Sequence, residues 1–202
     1  MFKRALWFLV LCGLIVSAIN PHDRLTWFLE VVWVILGLPL TALTAKKFPV
    51  SHLLYVLLAT HAMVLIIGGH YTYERTPLGL WLQEIFGFSR NHYDRVGHFF
   101  QGFVPAILAR EILIRLSPVR EGGWLFFVTT AICLAFSAAF EIFEWLVACI
   151  LGQAAEAFLA LQGDPWDTQW DMFLCLFGAI LSQMLLSRIH NEQLKRLAIT
   201  QT

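Results

Sequence analysis

The sequence predicts an all-α, polytopic membrane bundle of about six transmembrane helices, with a short interfacial helix in the loop between the third and the fourth. Three observations predict it. Only 14% of the 202 residues are charged and the mean hydropathy is +0.68, so the chain cannot build a water-facing surface. Six apolar runs approach the roughly 20 residues that a helix needs to cross the hydrocarbon. Lysine and arginine are shared unequally between the two sides that these runs define.

The runs fall at about 4–20, 26–45, 52–69, 94–115, 123–151 and 167–187, and together they make one integral membrane domain over 1–202. The first has the charged start and apolar middle of an export signal. It lacks a small-x-small cleavage site and continues into further apolar sequence, so it is expected to stay as a helix. The second and third follow after short connections. A loop of about two dozen residues then precedes the fourth, longer than ordinary connections. Within it, "PLGLWLQEIFGF" sets Leu78, Leu82, Ile85 and Phe86 at helical spacing, as in a helix lying flat in the interface. The loops at 152–166 and 20–25 share a side with that long loop.

On one side lie Lys3, Arg4, Lys46, Lys47, Arg110, Arg115, Arg120, Arg188, Lys195 and Arg196; on the other lie Arg24, Arg75, Arg90 and Arg95. The richer side is expected to be cytoplasmic, with both termini there. Lys plus Arg equal Asp plus Glu at 14 each, which leaves no basic stripe for nucleic acid. Cys12, Cys133, Cys149 and Cys175 all lie in apolar runs without CxxC spacing and read as free core residues.

Polar residues inside these runs carry the chemistry. "NHYDRVGHFFQG" opens the fourth run and places Asp94 and His98 on one helix face, a turn or about 6 Å apart. "GDPWDTQWDM" opens the sixth and repeats the spacing with Asp167 and Asp171. "FEIFEW" puts Glu141 and Glu144 roughly 15 and 10 Å below the end of the fifth, and His61 lies about 12 Å below the end of the third. Four helices thus send polar groups to the same half of the bilayer. A carboxylate at mid-membrane costs on the order of 2.5–3.5 kcal/mol, so these groups are expected to face one another, a cavity or a cation.

Each residue also has an ordinary explanation to set against a site. Asp94 and Asp167 suit helix caps, Asp164 suits a turn before Pro165, and His61 suits a hydrogen-bonded core position. His92, Tyr73 and Glu74 fit solvated loop sequence. The Glu141/Glu144 pair has the weakest such account, since caps do not occur mid-helix and like charges on one face repel. Among fixed cations only Arg90 and Arg95 stand at that level, with Arg95 free for phosphate or carboxylate. His98, Asp94, Glu141 and Asp171 are the candidate metal ligands, a set suited to zinc, manganese or iron. No HExxH, GxSxG or phosphate loop is present.

"YDRVGHFFQGFVPAILAREI", "FEIFEW" and "GDPWDTQWDMFLCLFGA" resemble the YjdF-type family of uncharacterised bacterial inner-membrane proteins over nearly the whole chain. That resemblance implies a multi-pass inner-membrane location and no particular activity. More distantly the same blocks are similar to VanZ-like membrane proteins, which are associated with reduced susceptibility to lipoglycopeptide antibiotics. Asp94, Arg95, His98 and Phe99 match that group's first block, and Asp171 and Gly178 its third. Glu144 stands where that group has Gln, and Cys175 where it has Asn.

The expected function is a pocket lined by His61, Asp94, Arg95, His98, Glu141, Glu144, Asp167 and Asp171, open to the periplasm, that binds a lipid head group or cell-envelope ligand, with or without a divalent metal. An enzyme acting on a lipid-linked substrate, with Glu141 or Glu144 as base, and a proton- or cation-coupled transporter are the alternatives. Against transport, the inner half shows little beyond an Arg110/Glu111 pair. Membrane lipids are the expected surroundings, and the sequence carries no signal for an oligomeric state.

Overall fold

The computed structural model describes residues 2 to 199, without the side chains of Ala154 and Ile199, and in it the chain is helical with no strand among those residues. The long helices are α1 (Phe2–Ser17), α2 (Arg24–Thr44), α3 (His52–Tyr71), α5 (Tyr93–Leu116), α6 (Gly123–Leu151) and α8 (Asp167–Ile199). Between α3 and α5 come a 3-10 turn (Tyr73–Arg75) and α4 (Pro77–Phe86). Between α6 and α8 come a 3-10 turn (Gly152–Ala155) and the single-turn α7 (Glu156–Leu159).

Local chemistry sets the boundaries. Asp23 caps α2 by accepting from Thr26 N at 2.7 Å, and Ser51 caps α3 by accepting from Leu54 N at 3.2 Å. Pro77 opens α4, where its missing N–H is no loss. Gly87 closes it at φ 64, a left-handed conformation that a Cβ disfavours. Leu78, Trp81, Ile85 and Phe86 of α4 all point away from the protein, as a helix resting against lipid requires.

Four helices, α2, α3, α6 and α8, are long and apolar enough to cross a membrane. The expectation of about six such spans meets two departures. At 16 residues α1 is short for the hydrocarbon. Helix α5 carries Asp94, Arg95, Arg110, Glu111 and Arg115. It can do so because it is the central helix, packed against α3, α6 and α8, with Val104, Ala106 and Ile107 fully buried. The outer helices instead expose large apolar side chains such as Phe8, Leu43, Trp124 and Ile150, the reverse of a water-soluble surface.

Two segments carry structure beyond the apolar runs. Helix α8 continues to Ile199, past the apolar run that ends near 187, because its polar last turns stay packed on the bundle, with His190 and Leu194 buried. The connection at 152–166 buries Phe158 against Phe140, Phe143 and Val147.

The dominant packing is α5 against α8, which run parallel in close backbone contact. A Cβ at Gly102 would overlap the Cys175 carbonyl, and one at Gly178 would overlap the Phe99 carbonyl. Ala106, Cys133, Cys175 and Ala179 fill the space between, the small-residue packing by which helices associate in lipid. All four cysteines are free. Gly102→Ala is therefore expected to cost about 1–3 kcal/mol and to lower the midpoint of thermal unfolding in detergent. Gly123→Ala, where nothing lies within 4 Å of the added carbon, should leave that midpoint unchanged.

Candidate functional site

The parallel packing of α5 and α8 brings their first turns together, and Arg90, just before α5, sits at the junction. It is 5% exposed. Its Nη1 donates to Asp167 Oδ1 and lies 3.5 Å from Asp164 Oδ2, while its Nη2 stands 3.7 Å from Asp94 Oδ2. The same guanidinium donates to the Ala160 and Leu161 carbonyls at 3.1 and 3.2 Å. One planar group thus ties three carboxylates and the 160–164 loop to the start of α5, a fork that an ammonium does not reproduce.

Arg95 is not free for a ligand. It donates to Asp164 Oδ2 at 2.6 Å and stacks over Trp170 at 5.2 Å. Neither Asp94 nor Asp167 is a cap: α5 is preceded by His92, leaving Asp94 inside the first turn, and Asp167 is the first residue of α8. Asp164 does make its turn, with Oδ1 accepting from Trp166 N at 2.9 Å. Partial burial and the neighbouring Arg95 and Arg90 hold the His92 imidazole below its usual range.

One turn into the bundle, His98 meets carboxylates from three helices. Its Nε2 is 3.5 Å from Asp94 Oδ1 and 3.9 Å from Asp171 Oδ2, and its Nδ1 is 3.8 Å from Glu141 Oε1. All four residues are buried. Asp171 Oδ1 and Glu141 Oε1 have no hydrogen-bond partner among the described residues. Glu144 and His61 face the same space as wall residues of a cavity, and neither side chain has a hydrogen bond among the described residues. Asp167 is drawn to Arg90 instead.

That cavity measures about 290 Å³ and lies among α1, α2, α3, α5 and α6. Its polar end holds Glu30, Tyr73, Asp94, His98, Gln101 and Glu144. From there an apolar slot runs past Trp33, Gly37, Leu38, Leu58 and Ala59 to Thr41. The eleven helical steps from Glu30 to Thr41 give it a length of about 16 Å. Pro105 also lines it, inside α5.

Two residues of the polar end escaped the sequence reading. Glu30 is 4% exposed on α2 and accepts a hydrogen bond from Tyr73; a lone carboxylate in the apolar run "LTWFLEVVWVILGL" was the signal. Tyr73 is buried rather than solvated. Its ring enters between α3 and α5 where Gly68 and Gly97 have no side chain, a Cβ at Gly68 falling 2.6 Å from it. Burial, together with Glu30 beside it, pushes the phenol well above its usual range, so it remains a donor.

The opposite end is also more polar than expected. Arg110 does not pair with Glu111; it donates to Asn191 at 2.9 Å. Glu111 is fully buried and accepts from Ser51 N at 3.0 Å, from Arg115 at 2.9 Å and lies 3.1 Å from His190 Nε2. Every acceptor position of that carboxylate is taken, which makes it a structural tie between α3, α5 and α8.

An all-helical bundle with several apolar spans and an enclosed polar end defines a multi-pass membrane protein. The chain belongs to the family described as "Predicted membrane protein (DUF2238)", whose model matches residues 2–192. It is similar to "Inner membrane protein YjdF" of Escherichia coli (strain K12), with 47% identity over 186 residues, 92% of this chain and 89% of that relative. No solved structure matches.

Replacing Arg90 by Met should cost about 3–5 kcal/mol, because buried carboxylates lose their counter-charge. Thermal unfolding in detergent checks this, with two further outcomes expected. Arg90→Lys fails to restore the midpoint, and adding Asp167→Asn to Arg90→Met recovers part of the loss.

Proposed function

We propose that this protein is a multi-pass inner-membrane protein with about six spans, both termini cytoplasmic, whose cavity binds one amphiphilic lipid or lipid-linked envelope ligand. Ten Lys and Arg residues at the end of the bundle that holds Glu111, against four at the end that holds Arg90, support that orientation. The polar end then faces the periplasm. Similarity to an inner-membrane protein of Escherichia coli supports the location.

The observation that carries the reading is the shape and chemistry of one cavity. A carboxylate- and imidazole-lined end opens into an apolar slot within the same walls. A polar metabolite would leave the slot unfilled, and a pure hydrocarbon would leave the Glu144 carboxyl against an apolar surface. An amphiphile satisfies both. Its head group is one that tolerates acids: a hydroxyl- or amine-bearing group, or an anionic group bridged by a cation, since Arg90 and Arg95 are already engaged. Glu144 and Glu30 bind and orient that head, while Trp33, Leu38 and Ala59 take the chain.

Gly37 borders the slot and has nothing within 4 Å of an added carbon, so Gly37→Trp is expected to fill the slot while leaving the bundle folded. Native mass spectrometry of protein released from lipid nanodiscs should show one retained amphiphile per wild-type chain and none with Gly37→Trp. Retention no greater than that of bulk lipid in the wild type, or equal retention in both, contradicts the proposal.

A further inference from the structure

His98 sits among electron-pair donors in a way that an amphiphile alone leaves unexplained. Its Nδ1 lies 3.1 Å from Gln101 Oε1. An amide oxygen only accepts, so Nδ1 carries the hydrogen. In the neutral ring Nε2 then presents a lone pair, and it faces Asp94 Oδ1 at 3.5 Å and Asp171 Oδ2 at 3.9 Å. Three such atoms turned toward one another in a buried site call for a cation or a proton between them.

Fixed side chains do not provide it. Arg90 reaches the other oxygen of Asp94 and is otherwise committed to Asp164 and Asp167. Asp171 is 2% exposed, and its Oδ1 has no hydrogen-bond partner among the described residues; the same holds for Glu141 Oε1 from the facing helix.

One ligand atom from each of Asp94, His98 and Asp171 lies within 4.8 Å of the others. An ion held at about 2.0–2.2 Å by each needs ligand atoms roughly 3–3.6 Å apart, so only small side-chain adjustments separate the site from coordination. Asp94 and His98 come from successive turns of α5 and Asp171 from α8. The glycine contacts at Gly102 and Gly178 hold the two helices in that register. Gln101 on the second ring nitrogen is the outer partner that fixes a ligating imidazole.

We propose that Asp94, His98 and Asp171 bind one divalent transition-metal ion, with Glu141 beside it as a further carboxylate. One nitrogen and two or three carboxylate oxygens suit zinc, manganese or iron(II) and offer nothing to a soft thiophilic ion. Cys175, one turn deeper, donates to the Cys133 carbonyl instead. Asp94 and His98 also line the cavity, but the site does not depend on the amphiphile's being there.

Manganese(II) is the probe. Full-length protein is purified in detergent without chelator, stripped, and titrated with manganese(II) under electron paramagnetic resonance. One bound ion per chain is expected, with electron-nuclear coupling to a single imidazole nitrogen. His98→Gln and Asp171→Asn should each weaken binding at least about ten-fold, while Glu74→Gln in the surface loop leaves it unchanged. Wild-type protein that binds no manganese(II), binds it without imidazole coupling, or binds it as tightly after Asp171→Asn overturns the proposal; a proton shared between Nε2 and the carboxylates would then supply the balancing charge. Amphiphile retention is read separately, so failure of one proposal is distinguishable from failure of the other.

Discussion

The backbone contact between α5 and α8 is the constraint on which the rest of the molecule depends. Two parallel helices touching at Gly102 and Gly178 are locked in axial register, because sliding either one drives a carbonyl into a side chain. Register at the centre fixes what meets at both ends. At one end it sets Asp167 and Asp171 beside Arg90, Asp94 and His98; at the other it sets His190 beside Glu111 and Asn191 beside Arg110. Neither polar end would assemble from α3 or α6 alone.

Burial of charge then divides the acids into two groups. Asp164, Asp167 and one oxygen of Asp94 are neutralised by Arg90 and Arg95, with backbone carbonyls completing the donors' shells. This group is structural. Among the described residues, Glu30, Glu141, Glu144, Asp171 and the other oxygen of Asp94 have one imidazole, His98, and the hydroxyls of Tyr73 and Thr168 against them. Desolvated carboxylates in such excess are costly unless something mobile joins them, and that unmet demand is the physical origin of the ligand and metal proposals. The apolar slot leading away from the same floor restricts the ligand to a molecule with a chain.

Helix identity was legible because hydropathy and helical spacing are local properties. The run at 123–151 coincides with α6, bracketed by Gly122 and Gly152 at positive φ, and the four-residue spacings of Asp94/His98 and Asp167/Asp171 needed only a helix to become shared faces. The length of α8 was not legible from hydropathy, since "HNEQLKRLAI" continues the helix after the apolar stretch ends. Tyr73 was hidden for a different reason: its burial is created by missing side chains at Gly68 and Gly97 on other elements. Arg90 looked like a general counter-charge, but its partners include carbonyls of the 160–164 loop, whose path no periodicity encodes. Glu30 was visible as a lone acid, yet only the fold shows that it faces the same cavity as Asp94.

The central claim is that carboxylates from α6 and α8 crowd the same imidazole. A double-mutant cycle on thermal unfolding in detergent, with Glu141→Gln, Asp171→Asn and their combination, tests it most directly. The account predicts non-additivity of at least about 0.5 kcal/mol, because neutralising either acid changes the field felt by the other across His98. Additivity within about 0.3 kcal/mol would mean that the two side chains do not share a site.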